Sequence, residues 1–179
     1  RGELDFVEAL RSRVKLLEGL EASAIDRCRA ERVRIMPGAR ELVRTMTGWG
    51  AHCLLVSGGF HHFADPVAAD IGFHRAVANR LAVEGDRLTG QVTGEIVDSA
   101  VKARLLADSA AERGLTGAQT LAVGDGANDI PMIEAAALGI AYRAKPKAAA
   151  AADAAIRHGD LGALLYAQGV PRAAWAAAD

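Results

Sequence analysis

The chain has 179 residues, 51% of them hydrophobic, and a formal net charge of −1. This length can bury the core of one globular domain with a small insert. A charge near zero argues against a nucleic-acid partner, because counterion release needs clustered Lys and Arg. The sequence has no run of about 18 apolar residues and no basic-then-apolar leader, so it predicts neither a membrane span nor a signal peptide.

Two further features concern the compartment and the start of the chain. Cys28 and Cys53 lack the CxxC spacing of a redox or metal site, and we interpret them as reduced, buried thiols of a cytoplasmic protein. The chain opens at Arg1 rather than Met, in the middle of an amphipathic pattern. This predicts that the sequence is an excerpt of a longer protein.

The first segment is predicted to form a helical hairpin. Apolar residues recur at helical spacing over 3–18, Gly19 ends that helix, and a second helix is predicted over about 22–32. The pattern changes after Pro37-Gly38. We therefore predict a helical cap segment over 1–35 and an α/β core over 36–179.

In the core, helices and strands alternate. The predicted helices cover 39–47, 60–70, 99–113, 129–137, 147–152 and 160–168, and the predicted extended segments cover 52–56, 75–79, 120–124, 139–142 and 155–157. This alternation indicates βαβ units, and therefore a parallel sheet with helices on both faces. Gly85-Asp86 separates two alternating runs, which predicts a β-hairpin insert at about 80–97.

In an open parallel sheet, ligands bind beyond the carboxyl ends of the strands. The first such end carries Ser57-Gly58-Gly59. The glycines allow a ligand to approach the backbone, and the following helix offers N–H groups to an anion. An ordinary strand-to-helix turn is the alternative, and it is favoured for these three residues taken alone.

The second strand end carries Gly124-Asp125-Gly126, followed by Asn128 and Asp129. Helix capping explains the last two residues sufficiently, with Asn128 as the cap and Asp129 in the first turn. It leaves Asp125 unexplained between two flexible glycines. A carboxylate at this position, with room for water, suits Mg²⁺.

Lys102 and a histidine pair complete the candidates. Lys102 lies in an amphipathic helix, where a lysine is most often solvated, but a phosphate site commonly adds one such point charge. His61 and His62 are adjacent, so on a helix they point about 100° apart. We interpret them as surface or cap-facing residues rather than metal ligands.

Taken together, these motifs resemble the haloacid dehalogenase superfamily of phosphotransferases, and within it the phosphoserine phosphatases. The resemblance covers essentially the whole chain, through VSGGF, ANRL, LTGQVTGEIV, VGDGANDIPMIEAAALGIAY and AKP. It implies a HAD-like Rossmannoid α/β fold with a helical cap, Mg²⁺ as the cofactor, and hydrolysis of O-phosphoserine through an aspartyl-phosphate. Another small phosphomonoester as the substrate, or a non-catalytic fragment, stays open as the alternative.

The resemblance also implies which residues contact the phosphoryl group and the substrate. Ser57, with the adjoining Gly58 and Gly59, is expected to bind the phosphoryl group. Lys102 is expected to neutralise its charge, and Asn128 to touch the substrate.

The remaining roles concern the metal and the amino-acid part of the substrate. By the resemblance, Asp125 ligates Mg²⁺ and Asp129 supports the water shell of the metal. Arg13 matches an arginine that grips the substrate carboxylate, although from the sequence alone it would be a solvated helix charge. Phe6 matches a cap residue packed over the substrate.

One motif of the superfamily, DxDxT, has no counterpart, because the chain contains no Asp-x-Asp. By the resemblance, its first Asp attacks phosphorus and its second is the acid and base. The strand that carries it is central in the superfamily's sheet, between the strands ending at Ser57 and Asp125. We therefore expect that strand to be missing from this chain, and the 179 residues alone to be inactive.

Overall fold

The computed structural model describes residues 2–177, with side chains from Phe6 onward. The described helices, α1 to α8, are Gly2–Lys15, Ser23–Arg32, Ala39–Gly48, His61–Ile71, Ser99–Ala111, Ile130–Ala135, Pro146–Ala151 and Ala163–Ala167. The described strands, β1 to β6, are Leu54–Phe60, Arg75–Glu84, Arg87–Thr93, Leu121–Gly124, Leu138–Tyr142 and Ala154–Ile156. These elements confirm the predicted alternation of helices and strands.

The chain forms two compact units, one of Arg1–Val97 with Asp160–Asp179 and the other of Asp98–Gly159. In the first unit the sheet order is β1-β2-β3, with β1 parallel to β2 and β2 antiparallel to β3. The predicted hairpin is therefore confirmed. The extended piece predicted at 75–79 is continuous with its first arm, because β2 pairs with β1 in its first half and with β3 in its second.

One apolar cluster of this unit joins the first two helices to the hairpin. Its buried side chains are Leu10, Val14, Ile25, Leu81 and Leu88. The predicted helical spacing is thus explained, since Leu10 and Val14 are one turn apart on the buried face of α1. The domain boundary at residue 35 stays a prediction.

The second unit contains the parallel sheet β4-β5-β6. Its strands alternate with α6 and α7, as the predicted βαβ pattern requires. Gly139 in β5 allows α6 to approach closely, because a Cβ atom there would lie 2.3 Å from the carbonyl oxygen of Ile133. Ile133 and Ile140 are almost completely buried and supply the apolar contact between this helix and the sheet.

Strands β1 and β4 are each the first strand of their sheet, so among the described residues each is paired on one side only. The expectation that a further strand pairs with them stays a prediction. Within residues 2–177, no helix combines the length and the apolar character needed to cross a bilayer.

The cysteine prediction is wrong for Cys28, whose side chain is exposed. Helix α2 buries only Ile25, so Cys28 lies outside its apolar contact. Cys53 is partly buried, and burial raises the pKa of its thiol, although a hydrogen bond from the Thr47 hydroxyl opposes this. Both thiols are unpaired.

Candidate active site

The loop after β4 is built around the side chain of Asp129, which folds back onto the backbone. Its Oδ2 atom accepts hydrogen bonds from the N–H groups of Asp125, at 3.0 Å, and Gly126, at 3.1 Å. A Cβ atom at Gly124 would lie 2.3 Å from the Cβ of Asp129. Glycine is therefore required at 124 by close packing, and not by the flexibility that we expected.

Asp129 also binds Lys102, which reaches it from α5. The Nζ atom of Lys102 lies 2.6 Å from Oδ1 of Asp129, and the two residues are only 5% and 6% exposed. The start of α5 is fixed by Asp98, whose Oδ1 atom accepts the N–H of Val101 at 2.9 Å. The alternative of a solvated lysine is thus wrong, because this helix face packs against α6 and the loop before it.

The environment of Asp129 decides its charge. Burial by itself would raise the pKa of this carboxyl. The hydrogen bond and charge of Lys102, with the two backbone N–H groups, together lower the pKa by more than burial raises it. The net pKa lies below the ordinary value of 3.8. At neutral pH Asp129 is therefore a buried carboxylate, and its ion-pair partner is the Nζ atom of Lys102.

The expected cap role of Asn128 is wrong, whereas Asp129 does lie in a first turn, that of a 3-10 helix, where its Oδ2 atom accepts the N–H of Gly126 at the cap. The residue at the N-cap of α6 is Asp129, and no side chain closes that helix end. A short 3-10 turn, Ala127–Asp129, precedes the helix and turns the Asp129 side chain inward. Within the described residues the Asn128 side chain forms no hydrogen bond, which leaves its amide available to a ligand.

Asp125 is the exposed carboxylate of this loop, directly after the carboxyl end of β4. Its backbone is fixed on both sides, by the Asp129 side chain and by the N–H of Lys145, which donates to the Asp125 carbonyl at 2.9 Å. The described residues contain no cluster of three or more potential metal ligands. Mg²⁺ commonly uses only one or two carboxylates, with water and phosphate as its other ligands, so one free carboxylate fits such a site.

The segment around Ser57 differs from the predicted turn. Strand β1 continues to Phe60, and α4 begins only at His61. Gly58 and Gly59 are therefore strand residues, and they do not form the first turn of a helix. The N–H of Gly59 donates to Oγ of Ser57 at 3.0 Å, which leaves the hydroxyl proton of Ser57 free to point elsewhere.

Helix α1 carries the two predicted residues of the cap. Phe6 is partly buried and packs against the core cluster that also contacts Phe60 and Phe63. Arg13 is exposed, and its Nε atom donates to the carbonyl of Ala9 at 3.2 Å. Among the described residues its two terminal amino groups have no acidic partner.

The predicted site residues are divided between the two units. Lys102, Asp125, Asn128 and Asp129 lie together in the second unit, whereas Phe6, Arg13 and residues 57–59 belong to the first. The sequence does not predict the ion pair, because its partners are 27 positions apart. Asn79, which is 1% exposed, was not predicted as a site residue either. The available signal was its polar side chain in the buried centre of β2.

The family model of haloacid dehalogenase-like hydrolases matches residues 1–134. The phosphoserine phosphatase of Streptomyces coelicolor is 50% identical over 179 residues, which are 100% of this chain and 43% of that protein. This chain therefore spans less than half the length of that relative.

Two solved structures of phosphoserine phosphatases are also similar, and both are 37% identical and cover 93% of this chain and 79% of theirs. One is a substrate-bound complex with a TM-score of 0.87. The other is a phospho-aspartyl intermediate analogue with a TM-score of 0.86. These similarities confirm the predicted HAD-like α/β fold, and the chain belongs to the family of haloacid dehalogenase-like hydrolases.

Proposed function

We propose that the protein carrying this chain is a phosphoserine phosphatase, which hydrolyses O-phosphoserine to serine and inorganic phosphate. The observation that carries this proposal is the buried pair of Lys102 and Asp129 beside the exposed carboxylate of Asp125. Buried lysines are rare in proteins, and this one is held by Asp129 next to the exposed carboxylate of Asp125. The sequence similarity to phosphoserine phosphatases supports the choice of substrate.

Lys102 is proposed to neutralise the phosphoryl group. An ammonium group has three N–H donors, and Asp129 accepts one of them. Two donors are left for phosphoryl oxygens, on a side chain whose position the ion pair fixes in advance. Ser57 and Gly58 are proposed to bind the same group, with Gly59 adjoining them, and Asn128 to contact the substrate.

Asp125 is proposed to ligate Mg²⁺, which when bound would stabilise charge on the phosphoryl oxygens. Asp129 has a different role. A carboxylate accepts about four hydrogen bonds, and three sites of Asp129 are taken by Lys102 and the two backbone N–H groups. We assign Asp129 the positioning of Lys102 and of the Asp125 loop, with one remaining site for a water molecule.

Arg13 and Phe6 are proposed to select the substrate. The terminal amino groups of Arg13 present a planar fork that matches a carboxylate. O-phosphoserine bears such a carboxylate, whereas a phosphosugar does not. Phe6, anchored in the core of its unit, is proposed to cover the bound substrate with an apolar surface.

The chemical step needs an aspartate that these 179 residues do not provide in an Asp-x-Asp motif. We infer that this carboxylate attacks phosphorus, so that the bond to the serine oxygen breaks and that oxygen takes a proton. Water then cleaves the aspartyl-phosphate and releases phosphate. By this proposal the 179 residues alone are inactive.

The unpaired thiols of Cys28 and Cys53 support a reducing compartment, which we infer to be the cytoplasm.

The test is phosphate release by the full-length protein from O-phosphoserine, phosphohomoserine, a phosphosugar and p-nitrophenyl phosphate. We expect a preference for O-phosphoserine, loss of activity in excess chelator, and recovery with Mg²⁺. Asp125→Asn should abolish this recovery. Asp108→Asn is the matched control, because it removes an exposed carboxylate of the same unit that lies on α5.

A preference for another phosphomonoester would instead identify a related phosphatase of the same family. Full activity in excess chelator would contradict the metal site. Robust hydrolysis by the isolated 179 residues would contradict the proposed external nucleophile.

A further inference from the structure

The Ser57 segment bulges out of its sheet. Val56 pairs with Val77 and Phe60 pairs with Asn79, so four steps along β1 oppose two steps along β2. Two extra residues of β1 are therefore accommodated over residues 57–59. Bulges of this kind interrupt the ladder of backbone hydrogen bonds, and they re-aim side chains next to active sites. The backbone groups in the interruption need other partners.

Asn79 supplies one of these partners. Its Nδ2 atom donates to the carbonyl of Gly58 at 2.9 Å, and its Oδ1 atom accepts the N–H of Val97 at 2.9 Å. The side chain is 1% exposed, so both bonds are shielded from water. Only a side chain with both a donor and an acceptor satisfies the two backbone groups, which explains an amide in an otherwise apolar environment.

His61 supplies the second partner. The N–H of Ala78 donates to Nε2 of His61 at 3.2 Å, so this nitrogen carries no proton. The other ring nitrogen, Nδ1, is then protonated and donates to Asp65 at 2.5 Å. The side chain of His61 is 12% exposed, which shows that it is a structural link between α4 and β2 and not a surface group.

We propose that Asn79 is a positioning residue for the phosphoryl-binding segment. By fixing the carbonyl of Gly58, it sets the orientation of the peptide group between Gly58 and Gly59. The N–H of that group donates to Oγ of Ser57, so the same bond influences the direction in which Ser57 is presented. His61 fixes the opposite strand at the neighbouring residue, Ala78. This inference rests on the proposed function, because it takes Ser57 and Gly58 as ligands of the phosphoryl group.

The experiment compares Asn79→Asp and Asn79→Ala with the wild type in the full-length protein. Asn79→Asp keeps the acceptor for Val97 and, when its carboxyl is ionised at high pH, lacks the donor to the carbonyl of Gly58, whereas Asn79→Ala removes both bonds at any pH. We expect both variants to weaken the binding of inorganic phosphate by about fivefold, the value of one hydrogen bond of average strength. The value of kcat/KM for the preferred phosphomonoester should fall by at least the same factor.

Thr45→Val is the matched control. Thr45 is 2% exposed, and its hydroxyl accepts the N–H of Ala176 at 2.8 Å, so the variant also removes a buried bond between a side chain and the backbone. It lies in α3, outside the bulge. We expect it to lower the free energy of unfolding as the Asn79 variants do, but to leave the dissociation constant of phosphate unchanged.

A second measurement separates this inference from the proposed function. In the absence of any ligand, the backbone amide NMR signals of Gly58 and Gly59 should shift in both Asn79 variants and not in Thr45→Val. Unchanged amide signals, or a phosphate affinity within twofold of the wild type, would overturn the positioning role. If the wild type bound no phosphate, the proposed function would fail, and the amide signals would still decide whether Asn79 orients the bulge.

Discussion

Lys102 and Asp129 form an ion pair of 2.6 Å, although they are 27 positions apart, and both side chains are almost completely removed from water. The second oxygen of Asp129 accepts the N–H groups of Asp125 and Gly126. One carboxylate therefore fixes both the cation and the loop of the candidate site. Either partner alone would be an uncompensated charge in a site with little water.

The first prediction concerns the stability that depends on this pair. Lys102→Met or Asp129→Leu should each lower the free energy of unfolding by about 3–5 kcal/mol, because the other charge stays buried without its partner. The double variant should recover much of this loss. Urea unfolding followed by circular dichroism measures the free energy of unfolding of each variant.

Asp108→Asn is the control for these variants, since Asp108 is exposed and its contact with Arg104 has a length of 3.9 Å. This change should cost no more than about 0.5 kcal/mol. If the single variants of the buried pair were equally mild, the ammonium group would be solvated in solution and the site geometry would be wrong.

The second prediction follows from the lowered pKa of Asp129. In the folded protein this carboxyl stays ionised at a lower pH than in the unfolded chain, so its contribution to stability is fully present above the ordinary value of 3.8. The contribution is lost as pH falls through the lowered pKa. The free energy of unfolding should therefore fall more steeply below about pH 4 in the wild type than in Asp129→Asn. If the free energy of unfolding changed with pH in the same way in the wild type and in Asp129→Asn, the lowered pKa of Asp129 would be contradicted.

The third prediction tests substrate selection by Arg13. Arg13→Ala should raise KM for O-phosphoserine by about 10- to 100-fold, the value of a hydrogen bond to a charged group, with little change in kcat. The KM for p-nitrophenyl phosphate, which has no carboxylate, should not change. Arg11→Ala removes another exposed arginine of α1 and is the matched control. Equal effects of the two variants would indicate a general charge effect instead.

The fourth prediction concerns the two thiols. Cys28 is exposed, whereas Cys53 is partly buried and burial raises its pKa, so Cys53 has less thiolate at neutral pH. Iodoacetamide should therefore label Cys28 first, as peptide mass spectrometry would show. In Cys28→Ser the fast labelling should disappear. Fast labelling of Cys53 in that variant would contradict its burial.

The order of elements could be predicted from the sequence because it depends on local periodicity. The apolar residues of α1 recur at helical spacing, and Gly85-Asp86 marks the hairpin turn, so each element was visible within its own segment. The end of β1 was not visible in this way. Two glycines resemble a turn, and only the pairing of Phe60 with Asn79 shows that the strand continues through a bulge.

The candidate site shows the same difference between features predicted from local sequence and features that depend on long-range contacts. Ser57, Lys102 and Asp125 can be proposed as site residues from residue type and order alone. The pairing of Asp129 with Lys102 and the bond from Asn79 to Gly58 are visible only in the folded chain. The physical reason is that these bonds join residues distant in the chain and depend on burial, because the electrostatic cost of a buried unpaired group arises only after folding removes the water.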